Sequence, residues 1–188
     1  MIDLSAEIVK AHTALSHIEN GAPKAIMRAL NRTIDGVKTD IVTQVTSTYD
    51  IKAGKVRKVI KATHSKTNLQ ASVSAKGSKI PLIQFRVTPN KPGQQKPGVV
   101  LRASVKQSGG KPIPGAFIMR MSGGQVGVAL RAGKQRLPVK ELYGPAIPQM
   151  IDEPVIQKYI MDGTNDRFQK RIDHEIAFIL GGGKTKYD

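Results

Sequence analysis

The sequence predicts an α+β fold with N-terminal helices, a central antiparallel β-meander and a C-terminal helix. Apolar residues recur at helical spacing through the first third of the chain. From about Leu69 they alternate strictly, in short runs separated by glycine turns, and helical spacing returns after a Pro-rich stretch that starts at Glu141. The 188 residues suit one compact domain with peripheral additions, or at most two small ones, and the chain is read as a single domain. Within it the boundaries fall at 1–62 for the helical part, 66–140 for a basic antiparallel sheet, and 141–181 for a Pro-rich connector and the last helix.

Leu4, Ile8, Ala11, Leu15 and Ile18 form one apolar stripe, with Ser5 or Asp3 as the cap and Gly21 and Pro23 as the stop. A second helix is expected from Pro23, where Ile26, Leu30, Ile34, Val37, Ile41 and Val45 keep register to the Thr/Ser-rich stretch before Tyr49. Gly36 interrupts it at a cost of about 1 kcal/mol relative to Ala. A short basic helix over 53–60 follows. Alternation then marks strands around Leu69, Ala71, Val73 and Ala75, around Ile83, Phe85 and Val87, and around Leu101, Ala103 and Val105. Two more are centred on Phe117, Met119 and Met121, and on Val126, Val128 and Leu130. The run PNKPGQQKPG (89–98) has three prolines and two glycines, so it reads as a mobile basic loop. Phe168, Ile172, Ile176 and Ile179 place a helix over 155–180, either whole or broken near Asp162 and Gly163. The GGGKTKYD tail is expected to fray.

Charge is the strongest global signal. The chain holds 30 Lys and Arg against 14 Asp and Glu, a net of +16. Residues 51–140 contain 19 of the bases and no acid; the remaining 98 residues hold 11 bases and all 14 acids, a net of −3. Such a segment attracts polyanions or an acidic protein face, in a salt-dependent way.

Most catalytic chemistry finds no support. With no cysteine, disulfides and thiolate zinc sites are excluded. Two-metal hydrolysis needs converging carboxylates, and the sheet segment has none. Asp162, Asp166, Asp173 and Glu175 read as a solvated helix face. His12, His17, His64 and His174 are scattered without ligand spacing. GGGKT (181–185) fails as a phosphate loop because Phe178 stands where its first glycine belongs. Aromatics at 4% and no tryptophan leave no stacking platform for single-stranded nucleic acid. The N-terminus lacks the long apolar core of a signal peptide, and no apolar run is long enough for a membrane span. No catalytic residue, metal or cofactor is expected.

Three stretches resemble the minor tail protein Z family of lambda-like phages and prophages. They are AIMRALNRTIDGVK (25–38) running on to KVRKVIK (55–61), IPGAFI (113–118), and GKQRLPVKELYGPAIPQMI (133–151). The resemblance spans nearly the whole chain in order. It implies a non-enzymatic virion protein, made in the host bacterial cytoplasm, that completes the tail near its head-proximal end. The partners it implies are other tail or neck proteins, further copies in a homo-oligomeric ring, and duplex DNA contacted without sequence preference. Lys55, Arg57, Lys58, Lys61, Lys91, Lys96, Arg102 and Lys106 are the candidates for the DNA path or an acidic partner. Leu142, Tyr143, Ile147 and Met150, on a stretch stiffened by prolines, are expected to dock against a neighbour or the chain's own core. A nucleoid-like or regulatory DNA-binding protein is the alternative that uses the same basic segment.

Overall fold

A computed structural model describes residues 4–66, 69–96, 98–121 and 123–182. Asp3, one of the two expected caps, and positions 183–185 of the glycine-rich motif lie outside the described residues. The architecture is α+β: helices α1 (Ser5–Ala14), α2 (Gly21–Thr48) and α3 (Ala53–Val59), ten short strands, then α4 (Ile147–Ile151) and α5 (Pro154–Leu180). The chain forms two compact units, one from residues 1–41, 60–74 and 154–188 and the other from 42–59 and 75–153.

The first unit is built on three helices. Ala11 and Leu15 of the α1 region, Ala22, Ala25, Ile26 and Ala29 of α2, and Phe168, Ile172 and Ile176 of α5 make its buried core. The four alanines leave room for close helix approach, while burying a side chain such as Phe168 contributes roughly 1.5–3 kcal/mol. α1 ends at Ala14, earlier than its apolar stripe suggests. Thr13 and Ser16 turn their hydroxyls onto backbone carbonyls there, a local competition with helix continuation. Asn20, at φ 57°, then reverses the chain into α2. Leu4 occupies the α1 N-cap without a side-chain cap bond. β1 (Ile60–Thr63) and β2 (Ser72–Ala75) pair as a two-stranded sheet. Asn31 pins the chain after β1 to α2, donating to the Ser65 carbonyl at 3.0 Å and accepting from its N–H at 2.6 Å.

α5 is one unbroken helix of 27 residues. Pro154 suits its first turn, where no N–H is required. Ile156, Thr164, Phe168, Ile172 and Ile176 stay buried along one side, so burial outweighs the cost of Gly163. Glu175 lies on that buried side, at 2% exposure, and corrects its assignment to a solvated face. Arg28 and Arg32 approach its carboxylate to 3.6 and 3.4 Å.

The second unit holds two three-stranded antiparallel sheets. One has the order β4 (Arg86–Thr88), β5 (Leu101–Ser104), β6 (Lys111–Ile113), and the other β7 (Phe117–Arg120), β8 (Val126–Arg131), β9 (Val139–Glu141). A smaller pair joins β3 (Ile80–Pro81) to β10 (Tyr143–Gly144). The short strands β3, β6, β9 and β10 give no alternating signal because each has only two or three residues. Pro112 is tolerated in β6 because β6 is an edge strand. Residues 82–84 form a 3-10 turn that buries Leu82 rather than Ile83. β7 has the opposite phase to the expected one: Ala116 and Ile118 are buried, and Phe117 instead lies under the Arg131 guanidinium, 5.4 Å from its ring centre.

Candidate interaction surface

The acid-free segment supplies the cations, and the structure separates those already engaged from those left open. On α3, buried Val56 orients the helix so that Arg57 and Lys58 are exposed. Lys55 is half-buried with its amine on the Gln84 side-chain oxygen. Burial, and then repulsion from Lys52, pull its pKa down. Lys61 is exposed on β1. Arg102, exposed on β5, gives one guanidinium N–H to the Gly110 carbonyl at 3.2 Å.

Lys106 is committed within the chain. Its ammonium is 2.6 Å from Glu153 Oε1 and lies over the Tyr49 ring, while the Tyr49 hydroxyl donates to Glu153 Oε2, also at 2.6 Å. Together these bonds hold Glu153 below the usual carboxylate range, Lys106 contributing most and Tyr49 next. Tyr49 is pushed up to about 12, first by burial and then by Glu153.

Strand registers bring two loops to one end of the second unit. The chain between β4 and β5 leaves where Thr88 faces Arg102, and Leu101 faces Ile113 at the end of β6. A tight turn, with the Ala116 N–H on the Ile113 carbonyl at 3.2 Å, leads into β7, whose Phe117 faces Ala129 near the end of β8. The β8–β9 hairpin therefore projects from the same end, closed by the Ala132 N–H on the Pro138 carbonyl at 2.9 Å. Gln95 fastens the first loop there by donating to the carbonyls of Val99 and Ala116. Lys91 and Lys96 on one loop thus join Arg131, Lys134 and Arg136 on the other, all exposed. Sequence reasoning left the last three out. The signal was a cation-rich run, RAGKQR (131–136), directly after the last alternating segment.

The assembly candidates divide by burial. Tyr143 is exposed, its hydroxyl donating to Glu141 at 2.6 Å, and that bond raises its pKa. Leu142 is half-buried, its backbone bonded to both Val128 and Leu82. Ile147 and Met150 are buried on α4. No group of three or more His, Cys, Asp or Glu positioned for a metal occurs among the described residues. No helix there is long and apolar enough to cross a membrane.

A family model described as prophage minor tail protein Z (GPZ) matches residues 8–181. The chain belongs to this family. No curated protein and no solved structure matches it significantly. By family the chain is thus a phage-tail component, and the strands, loops and helices described above lie within or overlap the matched span. Exposed ammonium and guanidinium groups of this kind complement phosphates or carboxylates.

Proposed function

We propose that this minor tail protein is a non-enzymatic ring subunit near the head-proximal end of the tail, where it completes the tail for head joining and DNA delivery. The observation that carries the reading is the acid-free basic segment, displayed largely on the surface, within a chain matched by a tail-protein family over almost its whole length. Arg57, Lys58, Lys61 and Arg102 are exposed cations that suit contact with a passing duplex. Such contact needs only positive potential and makes no demand on base sequence. The segment division 1–62, 66–140 and 141–181 belongs to the same proposal, with the middle part turned to the DNA path.

Mass spectrometry of density-purified particles from an induced lysate tests the reading. Several copies per particle support it, with cross-linking placing them at the head-proximal end. Absence from intact particles while the protein is abundant in the soluble lysate overturns it in favour of a free DNA-binding protein.

A further inference from the structure

The loop end of the second unit carries more than charge. Three exposed aliphatic residues stand among its cations: Val99 and Val100 beside the first loop, and Leu137, 65% exposed, on the hairpin. Lys91, Lys96, Lys134 and Arg136 have no ion-pair partner among the described residues, and Arg131 has only its contact with Phe117. Glu141, the nearest acid in sequence, is engaged by Tyr143, and its carboxylate sits against Gly127, away from the hairpin tip. A phosphate backbone would satisfy the cations and leave the aliphatic residues in water. A protein face that offers carboxylates beside apolar side chains would satisfy both.

The first unit carries such a face. Along α5, Val155, Tyr159, Asp162 and Asp166 are spaced four, three and four residues apart, so they share one side of the helix over about 17 Å. All four are exposed, Val155 at 77% and Tyr159 at 50%. Asp40, Asp50, Asp173, Glu153 and Glu175 are paired with bases within the chain, whereas Asp162 and Asp166 have no partner among the described residues. Lys158 lies beside the stripe, so the match comes from the position of the two aspartates rather than from the net charge of the helix.

We propose that these surfaces are the two halves of one contact between successive copies of this chain. The β4–β5 and β8–β9 loops of one copy seat on the start of α5 of the next. Lys134 and Arg136 meet Asp162 and Asp166, while Leu137 and the two valines cover Val155 and Tyr159. The contact joins two different patches, so repetition produces a ring where the rotation closes. The inference rests on the ring reading and supplies its interface. It also divides the cations, giving the loop end to a neighbouring subunit and leaving Arg57, Lys58, Lys61 and Arg102 for the duplex.

The absence of native cysteine permits a direct test. The full-length Leu137→Cys/Tyr159→Cys variant, oxidised both in purified concentrated form and within particles, is expected to give a ladder of disulfide-linked multimers beyond the dimer. Either single variant is expected to stop at dimer. A double variant that remains monomeric, or stops at dimer, overturns the pairing. Charge reversal gives an independent reading at exposed positions. Lys134→Glu/Arg136→Glu and Asp162→Arg/Asp166→Arg are each expected to lower copies per particle at least about tenfold, since like charges now face one another. All four changes in one chain restore the complementarity and the copy number. Failure of that rescue overturns the pairing, as does a Lys134→Glu/Arg136→Glu variant that keeps its copy number but loses duplex binding. Many copies per particle without the 137–159 cross-link remove this interface and leave the ring reading standing. A single copy per particle removes both.

Discussion

Arg167 fills the space that a side chain at position 36 would occupy. A Cβ on Gly36 would overlap its guanidinium, which forks onto Asp40 with Nη1 2.6 Å from Oδ2 and Nη2 3.2 Å from Oδ1. A glycine that looks like a flaw in α2 thus makes room for a bidentate ion pair between α2 and α5.

The arrangement predicts a reversal of sign. Gly36→Ala gains about 1 kcal/mol of helix propensity but displaces Arg167 from Asp40, so its melting temperature should fall. In an Arg167→Ala background the same substitution should raise it. Thermal unfolding of the four proteins of this cycle checks the idea, and a stabilising Gly36→Ala in the native background would refute it.

Glu175 is the most deeply buried acid among the described residues, and its Oε1 has an ion-pair contact with Arg32 but no hydrogen bond among them. Arg28 is the better buried of its two partners and lies 5.9 Å from the centre of the Phe178 ring. Arg28→Ala should therefore cost about 3 kcal/mol, because it strips a buried carboxylate of its better-shielded partner. Arg32→Ala, at a more exposed position, should cost about 1 kcal/mol or less. Urea unfolding distinguishes the two, and equal losses would contradict the ranking.

The Tyr49–Glu153–Lys106 group should make stability depend on pH at both extremes. Tyr49 in the folded protein keeps its proton to about 12 rather than its ordinary 10.0. Its contribution is complete below pH 10 and is lost as pH rises towards 12. Glu153 is shifted downward, so its contribution is present above the ordinary glutamate range and is lost as pH falls through the lowered value. Tyrosinate absorbance, with Tyr49→Phe as the reference, should show Tyr49 ionising at lower pH in Glu153→Gln. An unchanged titration would remove Glu153 from the account.

Met150 and Tyr143 should separate folding from assembly. Met150 is completely buried, so Met150→Ala should cost about 2–5 kcal/mol through the cavity it leaves. Tyr143→Ala removes an exposed ring and one hydrogen bond, and should leave the unfolding midpoint close to that of the native protein. Copy number in particles then reports whether Tyr143 meets a neighbour. A large loss of stability in Tyr143→Ala would show that its role is internal.

The sequence by itself determined the α+β class, the order of helices, sheet and helix, and the concentration of positive charge. Those properties depend on residue spacing and composition, and the periods of 3.6 and two register them in long elements such as α2 and α5. Family membership was legible for a related reason: the stretches that carry the resemblance are contiguous words such as GKQRLPVKELYGPAIPQMI, and they lie within the matched residues 8–181. Only the tertiary structure decided the rest. It buried Glu175 and left Asp162 exposed, although both are acids on one helix, because facing depends on what packs alongside. It set the phase of β7, where Ala116 and Ile118 go inward while Phe117 remains under Arg131. It also brought Lys91 and Lys96 to the same end as Arg131, Lys134 and Arg136, since strand register and the tight turn joining the two sheets determine where these loops meet.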